Sequence, residues 1–188
     1  MKTSSLGHRC LWLTAAFVCA LPVAAAPGGG FQVERYDLKL RADLRSGAVS
    51  GHETVIIKVT GNTSREITFS PNALRITDAK LDGAPVPVQS GNDGILFTLP
   101  QSLRRGDRAV LSFDIAGVPA RGITLTPAGM HAGYFACDWM VCLQDAPGDK
   151  ADFNLDLFVP KGVTSLGVGE RYASLDAFDG LAMHRYRS

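Results

Sequence analysis

Short segments in which apolar and polar residues alternate recur along most of this chain. Between Tyr36 and Leu44, apolar side chains occupy every second position and charged side chains occupy the others. The same period of two returns from Ala109 to Ile115 and from Phe153 to Val159. Residues spaced in this way lie on one face of a β-strand, so each segment is typical of a strand with one buried face. No sustained helical stripe follows residue 25, and the pattern therefore predicts an all-β protein.

Residues that favour turns separate further strand-like segments. The Asp82-Gly83 pair predicts a two-residue hairpin, and Pro85 and Pro87 in the returning segment predict that it lies at a sheet edge. Residues 117–133 are rich in Gly and Pro and predict an irregular stretch. Additional strands are predicted at His52–Val59, Glu66–Phe69, Leu74–Leu81, Ile95–Leu99, Thr164–Val168, Tyr172–Ala177 and Leu181–Tyr186. Many short strands at regular spacing are typical of a sandwich or barrel-like domain.

The first 25 residues predict a signal peptide. Lys2 and Arg9 accompany an apolar stretch, Cys10–Leu21, which is too short to cross a bilayer. Val23-Ala24-Ala25 supplies the small residues of a cleavage site. The alternative is a buried first helix, which the abrupt end at Pro22 disfavours. We expect a secreted or periplasmic protein without a stable membrane anchor after cleavage.

Length and charge define the remainder of the chain. The 188 residues suit one domain, and we expect a linker at 26–32 and a single β-domain at 33–188. Removing Lys2 and Arg9 reduces the 19 basic residues to 17, against 18 acidic ones, for a net charge of −1. No basic stripe is present, so we expect no nucleic-acid partner.

Two cysteines remain after the signal, Cys137 and Cys142. An oxidising compartment favours a disulfide between such neighbours. Two buried thiols, or half of a metal site, are the alternatives. A structural zinc site needs four ligands, and no matching His or Cys pair accompanies these two residues. We therefore expect no cofactor.

The stretch that holds these cysteines is also the candidate interaction surface. Its aromatic and sulfur-containing side chains either plug the end of the domain or form an exposed anchor for a protein partner. The candidate residues are Tyr134, Asp138, Trp139, Met140, Asp145 and Lys150. The nearby carboxylates also include Asp149 and Asp152, and a paired-carboxylate glycosidase is conceivable. Asp145 and Asp149 flank Pro147-Gly148, however, where Asp is typical of turn structure.

The sequence motifs of known catalytic sites are incomplete or missing in this chain. His52-Glu53 begins like the zinc motif H-E-x-x-H, but Ile56 occupies the position of the second His. His52, His131 and His184 are far apart in sequence, and scattered His residues of this kind are more often structural than catalytic. The sequence also contains no G-x-S-x-G elbow, P-loop or dinucleotide-binding fingerprint.

From Val33 to Tyr186 the chain resembles the N-terminal β-domain of the zinc aminopeptidases, the family of aminopeptidase N and leukotriene hydrolase. The resemblance begins with Tyr36–Leu40 and continues with Ser50-Gly51 before a second apolar strand. The Leu-Pro-x-x-Leu-x-x-Gly corner follows at Leu99–Gly106, and a Cys, Asp, Pro, Lys-Ala and Phe block follows at Val141–Phe153. The resemblance implies a saddle-like β-sandwich that packs against a catalytic domain and walls part of its substrate cleft.

The departures from this family bear on function. One extra residue separates Cys142 from Asp145, and Ala146 stands where the family has Glu. The family places a Gln or Glu for the substrate amine just upstream, where this chain has His131-Ala132-Gly133. The G-x-M-E-N segment and the H-E-x-x-H motif with its later Glu are missing from the sequence. The resemblance thus implies the non-catalytic domain alone, since the chain ends where the catalytic domain would begin.

Three hypotheses follow. The first is an accessory domain without peptidase activity that binds a protein partner or a separate catalytic domain. The second is a truncated fragment of an active metallo-aminopeptidase. The third is a periplasmic sandwich that binds a ligand or glycan and carries a line of exposed aromatic rings on one sheet face.

Overall fold

A computed structural model describes residues 28–61, 64–144 and 150–188. The predicted signal peptide and the Asp145–Asp149 turn lie outside these ranges. The first strand begins at Phe31, so the last residues of the predicted 26–32 linker already belong to the sheet. No helix among the described residues is long and apolar enough to cross a membrane. Helical structure in this part of the chain is limited to one 3-10 turn, Ala136–Asp138.

The described chain is built from β-strands, as the alternating sequence predicts. The strands are β1 (Phe31–Ala42), β2 (Val49–Val59), β3 (Ser64–Phe69), β4 (Arg75–Leu81), β5 (Ala84–Pro85), β6 (Val88–Gly91), β7 (Gly94–Leu103), β8 (Arg108–Gly117), β9 (Ile123–Thr126), β10 (Gly129–Ala132), β11 (Asp152–Pro160), β12 (Glu170–Asp176) and β13 (Leu181–Arg187). The prediction of an all-β sandwich is confirmed.

The sandwich consists of one large and one small sheet, together with a separate hairpin. The large sheet has eight strands in the order β12-β13-β11-β1-β2-β8-β4-β5, and the small sheet has the order β3-β7-β6. Strands β1 and β11 run parallel, and the other pairings in both sheets are antiparallel. Strands β9 and β10 form the hairpin. We call the face of the large sheet that packs on the core its inner face, and the opposite one its outer face.

The core lies between the inner face of the large sheet and the small sheet. A chain of ring contacts crosses it: Phe31 meets Phe69 at 5.3 Å, Phe69 meets Phe97 at 5.9 Å, and Phe97 meets Phe113 at 5.2 Å between centroids. Phe31 and Phe113 belong to the large sheet, whereas Phe69 and Phe97 belong to the small one. These rings therefore join the two sheets directly.

The predicted hairpin at Asp82-Gly83 is confirmed. Both residues have positive φ, 48° and 84°, as a type I′ turn between two strands requires. The turn pairs Leu81 with Ala84. The returning strand β5 contains Pro85 and is the last strand of the large sheet, which confirms the predicted edge position.

Two sequence-based predictions of local structure were wrong. Residues 117–133, predicted to be irregular, contain the β9–β10 hairpin, whose short and largely exposed strands leave no clear apolar alternation. Residues 164–168, predicted to be a strand, form none. Instead Ser165 bonds to His184 and Tyr186, and a Cβ atom on Gly167 would lie 2.5 Å from the Tyr186 ring. Residues 164–168 therefore pack against the Tyr186 ring instead of pairing with a neighbouring strand.

Candidate functional site

The candidate site is formed by residues 133–144 of the loop between β10 and β11, and several of these residues pack against the core of the sandwich. Asn72, in the connection between β3 and β4, holds this loop with its side-chain amide. Its Nδ2 donates to the carbonyl oxygens of Cys137 at 2.9 Å and Met140 at 3.1 Å, while its Oδ1 accepts from the backbone of Leu74 at 3.0 Å. One side chain therefore fixes both ends of the turn that carries Trp139.

A disulfide closes the same turn. Cys137 and Cys142 are bonded, with their Cα atoms 5.0 Å apart, and both residues are buried. The predicted disulfide is confirmed, and the alternatives of two thiols or half a metal site are excluded. Because the closed loop is short, the bond contributes at the low end of the usual range, about 2 kcal/mol. A stable disulfide is typical of oxidising compartments.

A buried carboxyl group supports the loop from the large sheet. Glu53 on β2 is fully buried, and its Oε2 accepts a hydrogen bond from the backbone N–H of Val141 at 2.9 Å. Burial raises the pKa of Glu53 to about 8, and the bond from Val141 offsets this only in part. The carboxyl group is therefore mainly protonated at neutral pH. Its Oε1 and the Nε1 of Trp139 are buried polar atoms without a hydrogen-bond partner among the described residues.

The sequence analysis missed the structural role of Glu53, although a signal was present. Glu53 occupies the same side of β2 as Val55, Ile57 and Val59, all of which are buried. A glutamate within an inward-facing series is unusual, because an ionised carboxylate is costly to bury. The incomplete zinc motif that begins with His52 concerns metal ligands and does not predict this burial.

An ion pair fixes the side of the loop that faces solvent. Arg121 donates to both carboxylate oxygens of Asp138, from Nε at 2.9 Å and from Nη2 at 3.1 Å. Asp138 is buried, whereas the Arg121 side chain is 60% exposed. The guanidinium carbon of Arg121 also lies 4.3 Å from the centre of the Phe135 ring, within cation–π range. Asp138 is thus a buried support for Arg121 rather than an exposed contact.

The exposed part of the loop is aromatic. Tyr134 is 73% exposed and Phe135 is 36% exposed, and their rings meet edge to face with centroids 5.4 Å apart. We call Tyr134, Phe135 and Arg121 the aromatic surface. Phe135 and Arg121 were missed by the sequence analysis, because their contribution depends on the contact between two separate segments.

The other predicted surface residues that the structure describes differ in exposure. Met140 is buried in the core, and Trp139 is half-buried and packs against it. Lys150 is exposed, and Asp145 lies outside the described residues. The two interpretations of this stretch therefore hold for different residues. Trp139 and Met140 pack into the sandwich, whereas Tyr134 is exposed to solvent.

The histidines remain apart in the fold. His52 lies on the outer face of the large sheet, where its Nδ1 is 2.8 Å from Asp114. His131 is exposed on the β9–β10 hairpin, and His184 is buried with its Nδ1 2.5 Å from the hydroxyl of Ser165. Among residues 28–61, 64–144 and 150–188, no group of three or more His, Cys, Asp or Glu side chains is arranged to hold a metal ion.

The architecture can be compared with that of solved proteins. A variant of a two-domain M1 zinc metallopeptidase bound to L-arginine superposes on 84% of this chain, with a TM-score of 0.75 and 21% identity. A variant of the M1 zinc metallopeptidase of Deinococcus radiodurans bound to a Tyr-Ser-Ala substrate superposes on 88%, with a TM-score of 0.73 and 21% identity. The chain has the fold of the N-terminal β-domain of M1 zinc metallopeptidases. A further M1 structure from Deinococcus radiodurans gives a TM-score of 0.71 at 22% identity over 84% of this chain.

The likeness to M1 zinc metallopeptidases concerns the fold and only part of each enzyme. The chain spans 39%, 40% and 39% of the three peptidase chains, respectively. No family model matches the sequence. A search of curated proteins likewise finds no match. The M1 β-domain fold is therefore recognisable in the backbone, although the sequence is only 21–22% identical to those of the solved enzymes.

Proposed function

We propose that this chain is an exported, non-catalytic binding domain. Its aromatic surface would dock against a protein partner, namely the catalytic domain of a metallopeptidase. The observation that carries this proposal is the exposed Tyr134–Phe135 pair on a loop that is held from several directions. Tyrosine and arginine are enriched among the residues that dominate binding energy in protein interfaces.

The contacts that hold the loop favour binding, because they limit its conformational freedom before a partner is bound. The Cys137–Cys142 disulfide, the Asn72 hydrogen bonds and the Glu53–Val141 bond hold its buried side. The Asp138–Arg121 pair holds its exposed side. Ordering of loops and side chains opposes association, so an already ordered aromatic surface loses less free energy when it binds.

The fold supports the choice of partner. In the matched M1 zinc metallopeptidases, a region with this fold accounts for about 40% of the chain, and the rest of each enzyme extends beyond it. A β-domain of this type is therefore compatible with contact to a peptidase domain. Export is supported by the disulfide, because such bonds persist in oxidising compartments.

We expect the purified protein to release no product from an alanyl chromogenic substrate in the presence of zinc. Activation of water by zinc usually needs three protein ligands, and His52, His131 and His184 lie on different parts of the described fold. The assay is repeated with a chelator. Turnover that the chelator abolishes would refute a non-catalytic domain.

The aromatic surface is tested with matched baits. Wild-type protein, Tyr134→Ser and Leu166→Ser are immobilised and exposed to a periplasmic extract and the culture fluid of the source organism. Leu166 is 92% exposed and lies outside the aromatic surface, so its replacement controls for a general loss of exposed apolar area. We expect the wild type and Leu166→Ser to retain a protein with the H-E-x-x-H motif, and Tyr134→Ser to retain about tenfold less, since truncation of an interface tyrosine often weakens binding to this degree.

Capture of the same proteins in equal amounts by the wild type and Tyr134→Ser would contradict the aromatic surface as the docking site. A captured partner without metallopeptidase motifs would contradict the proposed class of partner. Folding of each bait is checked by its near-ultraviolet circular dichroism, because Tyr134 is exposed and its replacement should leave the core unchanged.

The share of each solved enzyme that this chain spans favours a second candidate function, that of one portion of an active metallopeptidase. A chain that spans about 40% of an M1 zinc metallopeptidase is also what one portion of an active peptidase would give. Reading the genomic DNA just downstream discriminates the two: an in-frame or frameshifted H-E-x-x-H supports this candidate, and an unrelated sequence removes it. A glycan-binding role gains no comparable support, because the exposed rings of the described chain, Tyr134, Phe135, Tyr172 and Phe178, form no line on one sheet face.

A further inference from the structure

The outer face of the large sheet carries a row of residues with an arginine at each end. Arg41 on β1 pairs in register with Ser50 on β2, Ser50 pairs with Ala116 on β8, and Ala116 pairs with Arg75 on β4. Strands in a sheet lie about 4.8 Å apart, so three spacings separate the two arginines by about 14 Å. Between them the side chains are small. The row therefore resembles a trough with a cation at each end.

A neighbouring row adds a third cation. Lys39 pairs in register with His52, and His52 pairs with Asp114. Both rows line one depression of about 570 Å³. We call this depression the outer trough.

The three cations of the outer trough are not held in ion pairs within the described chain. Lys39, Arg41 and Arg75 form no ion pair there, whereas Asp114 is occupied by His52 at 2.8 Å. Even with His52 neutral, the residues that line the depression include three cations and one carboxylate, and Asp156, which pairs in register with Lys39, is bonded by Arg185. The whole chain has a formal net charge of only +1, so this positive charge is a local feature.

Strands β1 and β2 approach each other closely beside the outer trough. A Cβ atom on Gly51 would lie 1.9 Å from the carbonyl oxygen of Lys39. Only glycine permits β1 and β2 to approach in this way. Gly51 pairs in register with Leu40 and Ile115, which face the core, so the room above the outer face comes from the small side chains of Ser50 and Ala116.

We propose that the outer trough binds an acidic peptide segment in extended conformation, with one carboxylate at Arg41 and a second at Arg75. The guanidinium group matches a carboxylate through two parallel hydrogen bonds. An extended chain rises about 3.3 Å per residue, so acidic residues four positions apart span about 13 Å, close to the separation of the arginines. This inference is independent of the aromatic surface, which belongs to a loop packed on the inner side of the sandwich.

A peptide is favoured over a phosphate-rich ligand by the other groups in the outer trough. The carboxylate of Asp114 repels a densely charged polyphosphate more strongly than a ligand with two separated single charges. Phe158 pairs in register with Arg41 and lines the depression. It offers apolar contact to the aliphatic part of a peptide, which an inorganic phosphate chain would not use.

The test uses the purified protein and a fluorescent peptide, Glu-Ala-Ala-Ala-Glu, blocked at both ends. We expect a rise in anisotropy on titration with protein, and weaker binding as salt is added, because exposed ionic contacts are screened. Arg41→Gln and Arg75→Gln should each weaken binding about tenfold, since a hydrogen-bonded charge pair is lost. Arg105→Gln removes an exposed arginine elsewhere and should leave binding unchanged. The peptide with Gln in place of Glu should not bind.

Several results would overturn the proposal. One is the absence of binding by the Glu peptide at a protein concentration of about 1 mM, because a Kd of this size is already very weak for a specific site. Another is equal weakening by Arg105→Gln, which would indicate a diffuse charge effect. A third is tighter binding of inorganic tripolyphosphate, in competition with the peptide, which would assign the outer trough to a phosphate ligand. Unfolding by urea confirms that each variant is folded, because the substituted arginines are exposed.

Discussion

The free energy of unfolding is expected to fall as the pH rises from about 5 to about 9, and Glu53→Gln should remove most of this fall. Burial raises the pKa of Glu53 from its ordinary value of 4.5 to about 8 in the folded protein. Below about pH 4.5 the carboxyl is protonated in both states, so its contribution to stability is fully present. Between these pKa values only the unfolded chain releases the proton, which favours unfolding progressively. Above about pH 8 the group is ionised in both states, and the fall ends.

The expected size of the effect is large. A difference of one pKa unit corresponds to about 1.4 kcal/mol, so the full transition is on the order of 5 kcal/mol. Domains of this kind are stabilised by only about 5–15 kcal/mol in total. Glutamine keeps an acceptor for the Val141 N–H but carries no titrating proton. Glu53→Gln should therefore match the wild type near pH 5 and exceed it in stability near pH 9, values that flank the transition.

Urea unfolding at the two pH values measures this difference, with Trp139 fluorescence as the signal. Glu170→Gln is the matched control, because Glu170 is exposed on β12 and its replacement should preserve the wild-type pH dependence. Other groups that titrate in this interval are common to all three proteins, so they cancel in the comparison. An equal slope for the wild type and Glu53→Gln would show that the carboxyl is not held in its protonated form.

The strands could be predicted because the alternation that defines each one lies within its own short segment of sequence. In β1, β8 and β11 the period of two follows from burial of one face, and the structure preserves it. The β9–β10 hairpin was missed because its strands bury too little to impose that period. Residues 164–168 were misassigned for the opposite reason: their apolar side chains suggest a strand, but Leu166 and Val168 are 92% and 58% exposed.

The candidate site was predicted less completely because its contacts join distant parts of the chain. The disulfide followed from two neighbouring cysteines and the expected compartment. Asn72 lies 65 residues before Cys137, and Glu53 lies 88 residues before Val141. A polar side chain at such a separation carries no local signal that identifies its partner. The burial of Asp138 and Met140 depends on these contacts, so the sequence left open which loop residues face solvent.

The second large effect is expected at Phe97, one of the rings that connect the two sheets. Phe97 is fully buried in the small sheet, and its ring contacts Phe69 in the same sheet and Phe113 in the large one. Phe97→Ala removes both contacts and leaves a cavity that rigid strands fill poorly, so it should lower the free energy of unfolding by about 3–5 kcal/mol. Val110→Ala is the control, because Val110 is 38% exposed on β8 and its truncation should cost under about 1 kcal/mol. Urea unfolding compares the midpoints of both variants with the wild type. Equal and small losses for both variants would mean that the small sheet contributes little to the cooperative core.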